Sequence, residues 1–265
     1  MFFRLSSVEL AFLLFAVVFG GTLVGLVLGR SIHQRSEHLR DTFGVLQAAI
    51  LGLVALLLAF GLTMAVGRYE SRREAVVLEA NTIGTTYLRA QTLAEPLRTR
   101  SLDLLVRYTD ASIRLSDSVP NSRPADMAIA DEQGLQRQLW ALAGQALADS
   151  PIASAPRLYV ETLNEMIDQQ AVVVAGRRNR VPGPVLAVEV AGAAIALGLL
   201  AFYLAILSRG VVTVVLAAAL VTMLLLVTFD LDRPRRGLIR VPTTPLTNVR
   251  ASMVLPPAAA APPHP

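Results

Sequence analysis

Three polar clusters and one lone acid stand where a mostly apolar chain makes them costly. The first is Arg68-Tyr69-Glu70-Ser71-Arg72-Arg73, directly after a long apolar block. Arg68, Arg72 and Arg73 fall within two helical turns. Repeated around an assembly, they would form an anion-attracting ring or a subunit interface. In a single chain they would contact lipid headgroups. The second cluster is Glu79-Ala80-Asn81-Thr82-Ile83-Gly84-Thr85. Gly84 sits inside a helical pattern, where it costs about 1 kcal/mol relative to Ala. A helix tolerates that for a close neighbour, a kink or a ligand. Glu79, Asn81, Gly84 and Thr85 therefore read most simply as a helix-packing motif.

The third cluster is Asp230-Leu231-Asp232-Arg233-Pro234-Arg235-Arg236-Gly237. Two acids at a helix C-terminus oppose the helix dipole and need partners. A salt-bridge network through Asp230, Asp232, Arg233, Arg235 and Arg236 is expected, with Arg68, Arg72 or Arg73 as further partners. Clustered carboxylates also suit calcium, but the adjacent arginines argue against it. The lone acid is Glu189, five residues after Pro184 in an apolar block. It either pairs near the membrane interface, with Arg180 in reach, or serves ion passage from a buried position.

What is missing narrows the chemistry further. Cysteine is absent and all 24 basic residues are Arg. No disulfide, thiolate nucleophile, Schiff base or Walker-type phosphate loop is available. His33, His38 and His264 lack the i, i+4 spacing of a helical metal face. No nucleophile–base pair is placed for hydrolysis, so the chain reads as a non-enzyme without cofactor or metal.

These clusters must be positioned by apolar elements. The chain is 54% hydrophobic and 17% charged, against about 25% charged in soluble domains. Leu10–Gly29, Thr42–Gly67, Val190–Ser208 and Gly210–Phe229 are charge-free. Each is long enough for a bilayer core of about 30 Å, and in hydrocarbon each must be helical. The third span is expected to begin near residue 185, giving spans at 10–29, 42–67, 185–208 and 210–229. The first is too long for a signal-peptide core and lacks a small-x-small cleavage site, so it reads as a retained span.

Eleven arginines near span ends fall on one side: Arg4, Arg68, Arg72, Arg73, Arg177, Arg178, Arg180, Arg233, Arg235, Arg236 and Arg240. Four fall on the other: Arg30, Arg35, Arg40 and Arg209. The positive-inside rule then puts both termini and residues 68–183 in the cytoplasm. Residues 68–183 hold 14 Arg and 14 acids, so the basic excess lies beside the spans. That suits anionic lipid rather than nucleic acid. Gly21, Gly25 and Gly29 form a stripe in span one. Gly44, Ala48 and Gly52, then Ala55, Ala59 and Thr63, recur in span two. Such stripes allow close helix approach, within one bundle or at a subunit or pore face.

Residues 68–183 carry helical periodicity. Val76, Ala80, Ile83, Tyr87 and Ala90 continue span two without a breaker. Leu97–Leu115, Leu135–Ala146 and Leu158–Val174 give three more helices. Val119–Ala130, with two prolines, reads as a loop. The tail, basic from residue 233 and rich in Pro and Ala to residue 265, reads as disordered. The fold class is all-α: four transmembrane helices with a helical cytoplasmic insertion between spans two and three.

The same clusters, with Tyr87-Leu88-Arg89 and Arg107-Tyr108, resemble the bacterial membrane proteins with a bestrophin-like domain. The resemblance runs over about residues 43–250. It implies the four-span layout with a cytosolic insertion. Bestrophins assemble as pentamers and conduct anions through a pore lined by the second span. The chain shows no acidic calcium-clasp run, and no neck motif is matched in Thr42–Gly67. Two readings follow. One is a homo-oligomeric, bestrophin-like membrane protein permeable to anions. The other is a non-conducting adaptor, held in the lipid bilayer by its spans, whose helical domain binds a cytosolic protein partner.

Overall fold

The computed structural model describes residues 6–32, 40–207, 210–233, 235 and 237–257. Arg4, His33, Arg35, His38, Arg209, Pro234, Arg236 and His264 lie outside them. Eight helices form among the described residues: α1 Ser7–Ile32, α2 Arg40–Ala90, α3 Leu97–Asp117, α4 Arg123–Asp149, α5 Ser154–Arg178, α6 Gly183–Ile206, α7 Val211–Leu231 and α8 Thr244–Ser252. The described residues contain no strand. The chain divides into two units, residues 1–69 with 180–240, and residues 70–179 with 241–265.

The first unit holds the apolar helices. Four described stretches are long and apolar enough to cross a membrane: Val8–Ser31, Phe43–Ala90, Ser154–Ile206 and Val211–Leu231, of which the second and third include residues of the other unit. Leu10, Leu14 and Val18 of α1 pack with Val54 and Leu58 of α2, Leu186 and Leu197 of α6, and Leu225 and Phe229 of α7. Large apolar side chains also cover the outside: Phe12, Leu23, Val45, Leu53, Phe60, Leu220 and Met223 are all more than half exposed. Water would oppose so large an apolar exterior; lipid does not. Threonine hydroxyls in these helices bond locally. Thr22 donates to the Val18 carbonyl at 2.7 Å and Thr222 to the Ala218 carbonyl at 2.7 Å, which keeps hydroxyls satisfied where water is absent.

Glycine sets the approach of α1 to α6. A Cβ at Gly21 would lie 2.8 Å from the Ala194 carbonyl oxygen, and one at Gly25 would fall on the Gly198 carbonyl. Gly29 meets Phe202 in the same way. The stripe of span one is thus an intrachain packing seam.

The second unit is a helical bundle. α3 packs on α4, α4 on α5 and α8 on α3. The Glu70–Ala90 part of α2 runs antiparallel to α5. Gln169 donates to the Ala75 carbonyl at 3.0 Å, Thr86 to that of Thr162 at 3.1 Å, and Arg89 to that of Leu158 at 2.7 Å. The pairing moves forward along α2 and backward along α5.

Two expectations are corrected here. Residues 123–130 are helix, not loop: Ser122 caps α4 through the Ala125 amide, and Pro124 occupies the first turn, where it needs no N–H partner. The tail is not disordered throughout. α8 forms with a proline in its first turn, and Leu246 and Met253 are buried. Tyr87 donates to the Met253 carbonyl at 3.1 Å, and Arg250 pairs with Asp110 at 2.7 Å. Burial of Leu246 and Met253 supplies the stability that composition alone did not show. Residues 258–265 lie outside the described set.

Candidate functional site

In the bundle, α2 to α5 each carry an apolar stripe facing inward, and buried polar residues interrupt each stripe. On α4 the buried series is Ala125, Ala128, Glu132, Leu135, Leu139, Leu142 and Ala146. Glu132 occupies a core position by spacing alone. On α5 the buried residues include Gln170, between Met166 and Val173. On α3 they include Ser112, between Tyr108 and Leu115. α2 contributes Glu79, beside Val76, Ala80 and Ile83. The side chains of these helices meet as a polar layer inside the bundle.

Both acids of the layer are buried, Glu79 at 1% and Glu132 at 0% exposure. Gln170 donates to Glu132 Oε2 at 2.9 Å, and Gln136 donates to the Tyr108 hydroxyl at 3.4 Å. Glu79 Oε1 and Glu132 Oε1 accept no hydrogen bond. Burial pushes the Glu79 carboxyl well above the usual carboxylate range. The Glu132 charge adds to that, while Arg177 and the Ser112 hydroxyl oppose it. Burial lifts Glu132 to about 7 against the pull of Gln170, Ser112, Arg177 and Arg114. Burial, with both acids, also raises Tyr108. Arg177 is itself buried and donates to the Ser116 carbonyl at 3.3 Å and that of Ser118 at 2.8 Å. It ties α5 to the end of α3 while acting on both carboxyls.

The second polar cluster divides on folding. Glu79 turns inward, but Asn81 and Thr85 are exposed. Gly84 faces Val249 of α8, where a Cβ would stand 3.7 Å from the nearest methyl, an ordinary contact. Only Glu79 of that motif enters the polar layer. Sequence reasoning missed its partner, Glu132. The available signal was an acid at a core register of a helix otherwise repeating Ala and Leu.

In the first unit the two acids at the end of α7 hold backbone. Both Asp232 carboxylate oxygens accept the Val181 amide at 3.1 Å, and Asp232 and Arg233 are buried. Asp230 accepts the Leu238 amide at 2.9 Å and the Ile239 amide at 2.7 Å. The segment leading into α6 and the turn after α7 are thereby fixed to one helix end. Arg235 is half-buried. Glu189 is 3% exposed, its Oε2 accepts no hydrogen bond, and its carboxyl lies against Gly61 of α2.

α2 has two unlike faces over its apolar length. One packs on α6, through Gly44 against Tyr203, Val54 against Gly192 and Gly61 against Glu189. The other exposes Ala48, Gly52, Ala55, Ala59 and Thr63. The arginines that follow differ: Arg68 is half-buried with an unpaired Nη1, Arg72 is buried, and Arg73 is exposed beside Glu70 at 3.4 Å. Among the described residues no three His, Asp or Glu side chains group as metal ligands.

These elements define an all-helical membrane protein with four apolar spans and a polar helical unit. Its backbone follows that of bacterial bestrophin homologues. The chain belongs to the bestrophin-like domain family, whose pattern matches residues 12–246. A bacterial bestrophin homologue from Klebsiella pneumoniae superposes with a TM-score of 0.63 at 14% identity, over 89% of this chain and 97% of that one. A point variant of the Klebsiella pneumoniae homologue gives 0.63 at 13% identity, over 90% and 96%. A further structure, described only as a membrane protein, gives 0.64 at 14% identity, over 89% and 97%. No curated protein matches the sequence.

Proposed function

We propose that the protein assembles as a homo-oligomer in the bacterial inner membrane and passes anions through a pore walled by α2. Both termini and residues 68–183 lie in the cytoplasm in this reading. The observation that carries it is the second face of α2. Ala48, Gly52, Ala55, Ala59 and Thr63 are exposed in one chain, and Gly52 has nothing within 4 Å of its missing Cβ. Small side chains suit either close contact with further copies or the wall of a pore. Arg68, Arg72 and Arg73 follow on the same helix. Arg68 brings a buried guanidinium nitrogen with no partner in the chain, a donor for an anion or another subunit.

Recording from purified protein in planar bilayers tests this. Current with a reversal potential that follows the chloride gradient is expected, and Arg68→Gln reduces it. An insulating membrane at every pH, calcium level and gradient ends the proposal. A monomer or dimer crosslinked to another protein in native membranes would favour the adaptor reading.

A further inference from the structure

The polar layer of the bundle holds two acids and one nearby arginine. We propose that Glu79 and Glu132 form a single coupled proton-binding site, in which one proton held by the pair and the Arg177 charge leave the layer neutral, and that release of this proton loosens the bundle.

The geometry supports it from several sides. Glu79 enters from α2, Ser112 from α3, Glu132 from α4 and Gln170 from α5, all buried. With both acids ionised, two negative charges share a dry layer with one positive charge. One proton restores balance. Each acid also keeps one buried oxygen with no donor, which is tolerable in a neutral carboxyl and costly in a carboxylate. Like charges that share a site titrate as a pair. Arg114 of α3 also acts on Glu132, Tyr108 of α3 responds to both acids, and Arg72 is buried on α2 two turns before Glu79. Arg114 is drawn toward Asp131 at 3.1 Å, and Arg250 of α8 toward Asp110.

The direction with pH follows. Glu132 holds its proton up to about 7 when folded, against 4.5 unfolded, so the native state binds more protons between those values. Its contribution is fully present below the unfolded value and is lost as pH rises through the folded one.

Thermal unfolding of the full chain in lipid nanodiscs, with infrared difference spectra across the same pH series, tests the site. The melting temperature of the wild type should fall by several degrees as pH rises from about 5 to about 8, while a carboxylic-acid carbonyl band disappears. Glu132→Gln and Glu79→Gln each leave one acid against Arg177, so each should flatten the melting profile and shrink the band. Arg177→Gln should move the band's midpoint to higher pH. An unchanged pH slope in both glutamate variants overturns the proposal. So does a wild type with no titrating acid band, which is read without any variant folding.

Discussion

Gly25 and Gly52 are the same residue type in neighbouring spans, and their surroundings differ completely. A Cβ at Gly25 would fall on the Gly198 backbone, whereas one at Gly52 would meet nothing. The α1–α6 seam therefore depends on Gly25, and backbone atoms cannot yield as a side-chain tip can. Gly25→Ala should destabilise the purified protein by at least about 2 kcal/mol. Gly52→Ala should leave a single chain unchanged or slightly more stable, because Ala forms helix better. Unfolding in detergent checks the contrast; equal losses at both positions would refute the seam. Glu189 and Gly61 show a related dependence, since the acid occupies the space a larger residue would need. Sequence spacing marked both glycine stripes as packing surfaces. It did not distinguish the one filled by α6 from the one left open beyond Gly44.

At the scale of elements, hydropathy made the spans legible because lipid demands unbroken apolar helices, and α2 runs past its apolar part as the absence of a breaker implied. The polar layer was less legible. Glu132 sits among Asp131, Gln133 and Gln136, and a solvated face looks the same until the stripe is counted. α8 was hidden for another reason: a nine-residue helix among prolines has little intrinsic stability. Its order comes from Leu246, Met253 and the Arg250–Asp110 pair. Removing residues 241–265 should therefore speed hydrogen exchange in α3 and lower the melting temperature by several degrees. The apolar helices should exchange as before. Unchanged α3 amides would show that α8 contributes nothing to the bundle.

For the whole molecule, direction in the membrane is set by where charge resists crossing. Eleven arginines beside the spans oppose four, and arginine is expensive to move through hydrocarbon. The sequence has no cysteine, so one introduced thiol reports its own side without background. Ile152, between α4 and α5, is 92% exposed and tolerates replacement. Ile152→Cys should resist a membrane-impermeant maleimide in intact cells and react once the membrane is opened. Ser36→Cys, between spans one and two, should react in intact cells. Reversal of both patterns would place the helical bundle outside. The arginine cluster after α2 would then face the wrong compartment for a cytoplasmic anion mouth, and the proton site would sense external pH instead. The same two thiols thus decide which solution each proposed site meets.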